Sequence, residues 1–101
     1  MRLWTKADFR TDRRLLDQQF KGVKAGIGAV VAAARGQCGK AGRLLVQGAD
    51  RLTNAETLLR LLPENIARTL RERGLRWAAQ RLTAACDQVV ARCAVAPDGQ
   101  H

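Results

Sequence analysis

The chain has 101 residues, of which 47% are hydrophobic and only 4% aromatic, and it carries a formal net charge of +9. This length allows one domain at most, and the scarcity of aromatic and β-branched residues favours helices over a sheet. The charge favours an anionic partner, whether nucleic acid, a membrane surface or an acidic protein, but says nothing about the fold.

The N-terminal segment predicts a long amphipathic helix over about residues 6–35. Thr5 followed by Asp8 fits a capping box, and Trp4 and Phe9 occupy the positions of a hydrophobic staple. Larger apolar residues then recur every three or four positions, a spacing typical of a heptad-like helix face. That face comprises Leu16, Phe20, Val23, Ile27, Val30 and Ala34, and the opposite face carries Arg10, Arg14, Lys21 and Lys24.

The same helix has a second face made of small residues. Its members are Gly22, Gly26, Ala29, Ala33 and Gly36. Small residues at this spacing allow two helix backbones to approach closely. Two interpretations follow: the face packs against another helix of the same chain, or it is an interface through which the protein forms a homo-oligomer or binds another protein.

A first break is predicted over residues 36–40, because Gly36 and Gly39 each disfavour a helix by about 1 kcal/mol relative to alanine. The surrounding segment ARGQCGKAGR, residues 34–43, approaches the phosphate-binding loop pattern but lacks its first glycine and its Ser/Thr. Such a loop also needs a strand before it, whereas an alanine-rich helical segment precedes this one. We therefore expect a link between helices here and no nucleotide site.

Further breaks are predicted from capping signals. Thr53 and Glu56 form a second capping-box pair and indicate a link over residues 50–54. Pro63 suits the first turn of a third helix, which we expect to extend over about residues 64–73.

At Gly74 the apolar periodicity shifts, and Leu70 and Leu75 would form the hydrophobic contact of a Schellman helix end. A last helix over about residues 75–94 follows. Two short helices joined near Gly74 have the general shape of a helix-turn-helix, in which the second helix presents side chains to base edges.

The stretch around Gly74 is also the most basic part of the chain. The residues that we expect to contact nucleic acid are Arg68, Arg71, Arg73, Arg76, Gln80 and Arg81. Such residues also suit a solvated helix face that has no binding role. Trp77 fits either a platform for base stacking or a half-buried core position.

The three cysteines are expected to be small buried hydrophobic residues in a reducing, cytoplasmic compartment. Cys86 and Cys93 are about 10 Å apart along a helix, too far for a disulfide. The single histidine, His101, leaves a zinc site without ligands. The N-terminus has charge but no apolar core of a signal peptide.

No pattern indicates catalysis, a metal site or a cofactor. The chain has no serine to act as a nucleophile, and its acidic residues are scattered. The longest uncharged run has ten residues, against about 20 needed to cross a membrane. The long helix also lacks the aromatic-rich face of helices that lie on membranes.

The sequence therefore predicts an all-α bundle of three or four antiparallel helices. Residues 1–95 would form a single helical domain, and residues 96–101 a disordered tail. The leading functional hypothesis is a small, basic, non-enzymatic nucleic-acid-binding protein. The alternative is a helical adaptor or assembly subunit that binds another protein through the small-residue face.

Overall fold

In the computed structural model, which describes residues 3–94, the chain is a bundle of three α-helices: α1 (Lys6–Ala34), α2 (Cys38–Arg60) and α3 (Ile66–Cys93). The bundle measures 58 × 18 × 16 Å. No strand occurs in the described part of the chain. These observations confirm the predicted all-α bundle with a long N-terminal helix. The predicted tail lies outside the described residues.

Helix α2 runs antiparallel to α1. The side chain of Asn54, in the last third of α2, donates to Oε1 of Gln18, in the first half of α1, over 3.4 Å. Further along α1, a Cβ placed on Gly28 would lie 3.4 Å from the side chain of Leu44, near the start of α2. Later residues of α1 therefore contact earlier residues of α2.

Helix α3 runs parallel to α1. Asp12 pairs with Arg71 near the start of both helices, and Gly26 faces Leu82 three to four turns further along. Because α1 and α3 point the same way, the bundle has two neighbouring parallel helices and one helix antiparallel to both.

The predicted beginning and end of α1 are both confirmed. Thr5 Oγ1 accepts a hydrogen bond from the Asp8 amide over 3.2 Å, and the Asp8 carboxylate accepts one from the Thr5 amide over 2.9 Å. The rings of Trp4 and Phe9 meet edge to face with centroids 5.5 Å apart. After Ala34 the chain turns at Gly36, whose φ of 77° lies in the left-handed region that favours glycine.

The predicted break over residues 50–54 is wrong, because α2 passes through this segment without interruption. The Thr53 hydroxyl donates to the Ala49 carbonyl within the helix over 3.0 Å. Thr53 thus bonds backwards to the preceding turn, an alternative open to threonine inside a helix. Pro63 does not lie in the first turn of the third helix, as was predicted, because α3 begins at Ile66. The Asn65 side chain, just before this helix, accepts a hydrogen bond from the Arg68 amide.

The predicted break at Gly74 is wrong as well, since α3 is continuous from Ile66 to Cys93. A Cβ on Gly74 would lie 3.3 Å from Nε2 of Gln19. Gly74 therefore makes room for a side chain of α1 instead of ending a helix. Without two helices and a turn, residues 66–82 do not form a helix-turn-helix.

The centre of the bundle depends on close contact between the backbones of α1 and α2. A Cβ on Gly22 would lie 3.3 Å from the Gly48 carbonyl oxygen and 2.6 Å from Leu52 Cδ2. Conversely, a Cβ on Gly48 would lie 3.2 Å from the Gly22 carbonyl oxygen. The two glycines face each other, and neither leaves room for a side chain.

The small-residue face of α1 is consequently filled by the chain itself. Gly22, Gly26, Ala29 and Ala33 are all buried within the bundle, and Gly36 lies exposed in the turn. This agrees with the interpretation that the face packs against helices of the same chain. The other interpretation, a self-association interface, has no accessible surface at these four buried positions.

Larger side chains fill the core on one side of this contact, and mostly alanines fill it on the other. The first cluster comprises Leu15, Ala55, Leu59 and Leu62, and the second comprises Ala29, Ala32, Ala33, Ala41 and Val89. The alanine cluster allows the helices to remain close together beyond the glycine contact.

The cysteine interpretation needs correction. Cys38 at the start of α2 and Cys93 at the end of α3 form a disulfide, and Cys86 is an exposed free thiol. The pair is separated by 55 residues, so the heptad spacing of Cys86 and Cys93 gave no hint of it. The expectation that all three cysteines are buried and reduced is therefore wrong.

Replacing Gly22 with alanine should destabilise the protein. Crowding against Leu52 and the Gly48 carbonyl should cost about 1–3 kcal/mol, partly offset by up to about 1 kcal/mol of helix propensity. Gly42→Ala is the control, because beyond its own turn of helix no atom lies within 4 Å of a Cβ at this exposed position. It should stabilise the protein by up to about 1 kcal/mol. Urea unfolding followed by circular dichroism measures both, and equal stabilisation would show that the backbones are not in close contact.

Candidate functional site

The large apolar residues of α1 remain largely outside the core. Phe20 is 67% exposed and Ile27 is 62% exposed, and Leu16 and Val31 are also exposed. All four belong to the heptad-like face or directly adjoin it, roughly a quarter turn or more from the buried glycines. Since glycines and alanines take most of the inner face of α1, with Leu15 as the buried exception, most of the larger side chains lie on its surface.

Helix α3 supplies matching apolar side chains. Trp77 is 54% exposed, and Leu70 and Ile66 are exposed about two and three turns before it. Between α1 and α3 lies an open groove of about 410 Å³. Its lining includes Val23, Ile27 and Val31 of α1 and Trp77, Arg81 and Ala84 of α3. We call this groove and its flanking exposed residues Phe20 and Leu70 the apolar groove.

Cations lie along both rims of the apolar groove. The sequence interpretation placed Lys24 opposite the heptad-like face of α1. Exposed Lys24 is instead one turn from both Phe20 and Ile27, so it lies beside that face. On α3, Arg73 lies one turn from Leu70 and Trp77, and Arg81 lies in the groove itself. None of these three cations forms an ion pair within residues 3–94.

Two acidic residues lie nearer the outer sides of the rims. Asp17 on α1 is paired with Lys21 over 3.0 Å, and Asp87 on α3 is exposed. The Asp17–Lys21 pair is neutral as a unit. The apolar groove therefore has a predominantly positive rim.

Two of the arginines predicted to contact nucleic acid instead stabilise the fold. Arg71 donates from Nε and Nη2 to the two carboxylate oxygens of Asp12, over 2.7 and 3.0 Å. Asp12 is the buried charged residue of the described core, at 7% exposure. This hydrogen-bonded carboxylate raises the pKa of Arg71, so that the guanidinium remains charged.

Arg68 is similarly engaged. Its Nη1 donates to the Leu62 carbonyl over 3.0 Å, beyond the end of α2, and its guanidinium forms ion pairs with Glu64 and Glu72. The Arg68 side chain is only 20% exposed. Arg68 thus connects the link between α2 and α3 to the first turns of α3.

The other predicted contacts remain accessible. Arg73, Arg76, Gln80 and Arg81 are all exposed on one continuous helix. The first three are spaced three and four residues apart and share a face, whereas Arg81 lies towards α1 in the apolar groove. The structure therefore divides the predicted set into two fold-stabilising arginines and four exposed polar residues.

The described residues hold no cluster of three or more His, Cys, Asp or Glu side chains placed to bind a metal ion. Within the same residues, none of the helices combines the length and apolar character that a membrane crossing needs.

The heptad-like face predicted from the sequence includes Val23 and Ile27 of the apolar groove, but its exposure was not predicted. The signal was present, because α1 has a face of large apolar residues in addition to a face of small ones. Together these faces exceed the apolar stripe that a helix of a three-helix bundle ordinarily buries. The small-residue face is the buried one because it packs against Gly48, which lies on another helix.

Comparisons with protein-family models, with curated proteins and with solved structures give no match to the chain. The groove, its rim and the α3 arginines therefore have to be interpreted from their own chemistry.

Removing the carboxylate of Asp12 should destabilise the protein by about 2 kcal/mol. Breaking a buried pair typically costs 3–5 kcal/mol, and the value is reduced here because the Arg71 side chain is 34% exposed. Asp17→Ala is the control, since its pair with Lys21 is exposed on both sides and should contribute at most about 0.5 kcal/mol. Urea unfolding of Asp12→Ala and Asp17→Ala measures the difference. Equal effects would show that Arg71 does not depend on Asp12.

Proposed function

We propose that the protein is a non-enzymatic binding module that receives a helix of another protein in the apolar groove. The observation that carries this proposal is the pairing of exposed apolar side chains on two neighbouring parallel helices, with Ile27 on α1 and Trp77 on α3. Helix-in-groove recognition uses such surfaces, in which an amphipathic helix buries its apolar face between side chains. This is the adaptor hypothesis, moved from the small-residue face to the opposite side of α1.

The position of the groove supports a helix as its occupant. Helices of up-down bundles alternate in direction around a common core. Since α1 and α3 are parallel neighbours, the depression between them corresponds to the position of a fourth helix. From Leu16 to Val31 the apolar face extends for about 23 Å, or about four helical turns.

A defined peptide tests this proposal. The probe is an amphipathic helix of about 21 residues with leucines on one face and glutamines beside them. Trp77 reports binding in a Trp4→Phe background, because the chain has two tryptophans. Ile27→Asp should weaken binding about tenfold or more, since it places a charge in the centre of the contact.

Val46→Asp is the matched control. Val46 lies on α2 and is 62% exposed, the same fraction as Ile27, so the two variants remove equally exposed side chains. Val46→Asp should bind the peptide like the parent protein. Absence of binding, or equal binding by both variants, would contradict the proposed groove.

Nucleic-acid binding is the second candidate. It is favoured by exposed arginines of α3, among them Arg73, Arg76 and Arg81, which form no ion pair within the described residues. With α3 continuous, these residues would contact phosphates from the side of one helix, as sequence-independent binding does.

A salt titration with duplex DNA and RNA tests this candidate. Replacing Arg73 and Arg76 with alanine should reduce the slope of log affinity against log salt by about two contacts, near 0.9 each for DNA. Replacing Arg10 and Arg14 on α1 should leave the slope nearly unchanged. If both pairs have equal effects, or if no binding occurs at low salt, α3 is not a phosphate-contacting surface.

A further inference from the structure

The charges around the apolar groove indicate what kind of helix it receives. Resting on the proposed function, we infer that the partner is an amphipathic helix with acidic residues on both sides of its apolar face, and that it runs antiparallel to α1 and α3. The inference depends on the rim cations, on the direction of the two groove helices and on the net charge of the chain.

Among residues 3–94 the rim cations have no ion-pair partner. Lys24 lies beside the α1 side of the apolar face, and Arg73 and Arg81 lie beside or within the α3 side. A helix in the groove would therefore have a cation on each flank. Glu or Asp residues flanking its apolar face pair with these cations, whereas Lys or Arg residues there are repelled.

A second copy of this chain does not have the required charge. Each copy has a net charge of +9, and the apolar face of its own α1 is flanked by Lys24. Two copies joined through their grooves would bring cations against cations, which is unfavourable.

The chemistry of the groove also separates a helix from the other anionic partners. Nucleic acid contacts need cations but no row of aliphatic side chains, so they leave Ile27 and Val31 unused. A membrane offers a broad interface on which an apolar face lies flat, whereas here the apolar side chains line a depression between two helices.

The direction of the partner follows from helix dipoles. The N-termini of α1 and α3 lie at the same end of the bundle, so their positive ends reinforce each other. An antiparallel helix brings its negative C-terminus to that end, whereas a parallel helix brings a third positive terminus. Up-down packing leads to the same direction.

Three peptides that share one leucine face test the inference. They carry Glu, Gln or Lys at the flanking positions, and binding is followed through Trp77 in the Trp4→Phe protein. We expect the Glu peptide to bind about tenfold more tightly than the Gln peptide, and the Lys peptide to bind more weakly than both. The preference for Glu should decrease as salt is added.

Charge reversal on the protein provides the matched variant. In a Lys24→Glu/Arg81→Glu protein the order should invert, so that the Lys peptide binds most tightly. A spin label at either end of the Glu peptide, with its partner label on Cys86, distinguishes the two orientations. Cys86 is the exposed free thiol near the C-terminal end of α3, so the label on the N-terminus of the peptide should be the nearer one.

The outcomes separate the inference from the proposed function. If all three peptides bind equally to the parent protein and Ile27→Asp abolishes every one, the groove receives a helix but the inferred acidic flanks are wrong. If none binds in an Ile27-dependent manner, the proposed function fails and the inference fails with it. A parallel orientation overturns the inferred direction.

Two further results would overturn the choice of partner. One is Ile27-dependent binding to vesicles containing anionic lipid, with no binding of the Glu peptide. The other is a dimer in sedimentation experiments that Ile27→Asp dissociates and Val46→Asp does not, which would identify the occupant as a second copy.

Discussion

The close approach of the α1 and α2 backbones at Gly22 and Gly48 is the constraint on which the rest of the bundle depends. Each glycine occupies the space that a side chain on the other would need. Protein interiors are packed as densely as crystals of small molecules. Where two helices are held this close, only small side chains fit between them, and the alanine cluster fills this space beyond the glycine contact. Leu15, before the glycine contact, is the bulky residue of α1 that is fully buried. From residue 22 onward the inner face of α1 holds small residues, so the bulky residues of this part lie outside the core. The narrow cross-section of the bundle and the apolar groove thus have the same origin.

The sequence was sufficient for the features that local interactions determine. Thr5 and Asp8 meet within one turn, and Gly36 needs only its own backbone conformation, so both ends of α1 were predictable. The role of Gly74 was not predictable, because the sequence does not distinguish a glycine that ends a helix from a glycine that faces a neighbouring side chain. Gln19, on another helix, decided between them.

The candidate site shows the same division. Exposed polar residues of α3 were identifiable from composition and helical spacing. The role of Arg71 was not, because its partner Asp12 lies 59 residues away and only the parallel arrangement of α1 and α3 brings them together. Several acidic residues form ion pairs within the chain. The cations outside these pairs are therefore the ones available to a partner.

The disulfide between Cys38 and Cys93 divides the bundle into a covalently closed part and a part outside it. It closes α2 and α3 into a covalent ring, while α1 remains outside this ring and is attached through residues 35–37 and by side-chain packing. Opening of the bundle can therefore begin with α1 leaving as a unit while the ring stays closed. The apolar groove has one wall on each part, so it exists only while they are together. A helix bound in the groove would contact both α1 and the ring, and so would oppose their separation. Binding of the helix and stability of the bundle are therefore thermodynamically linked.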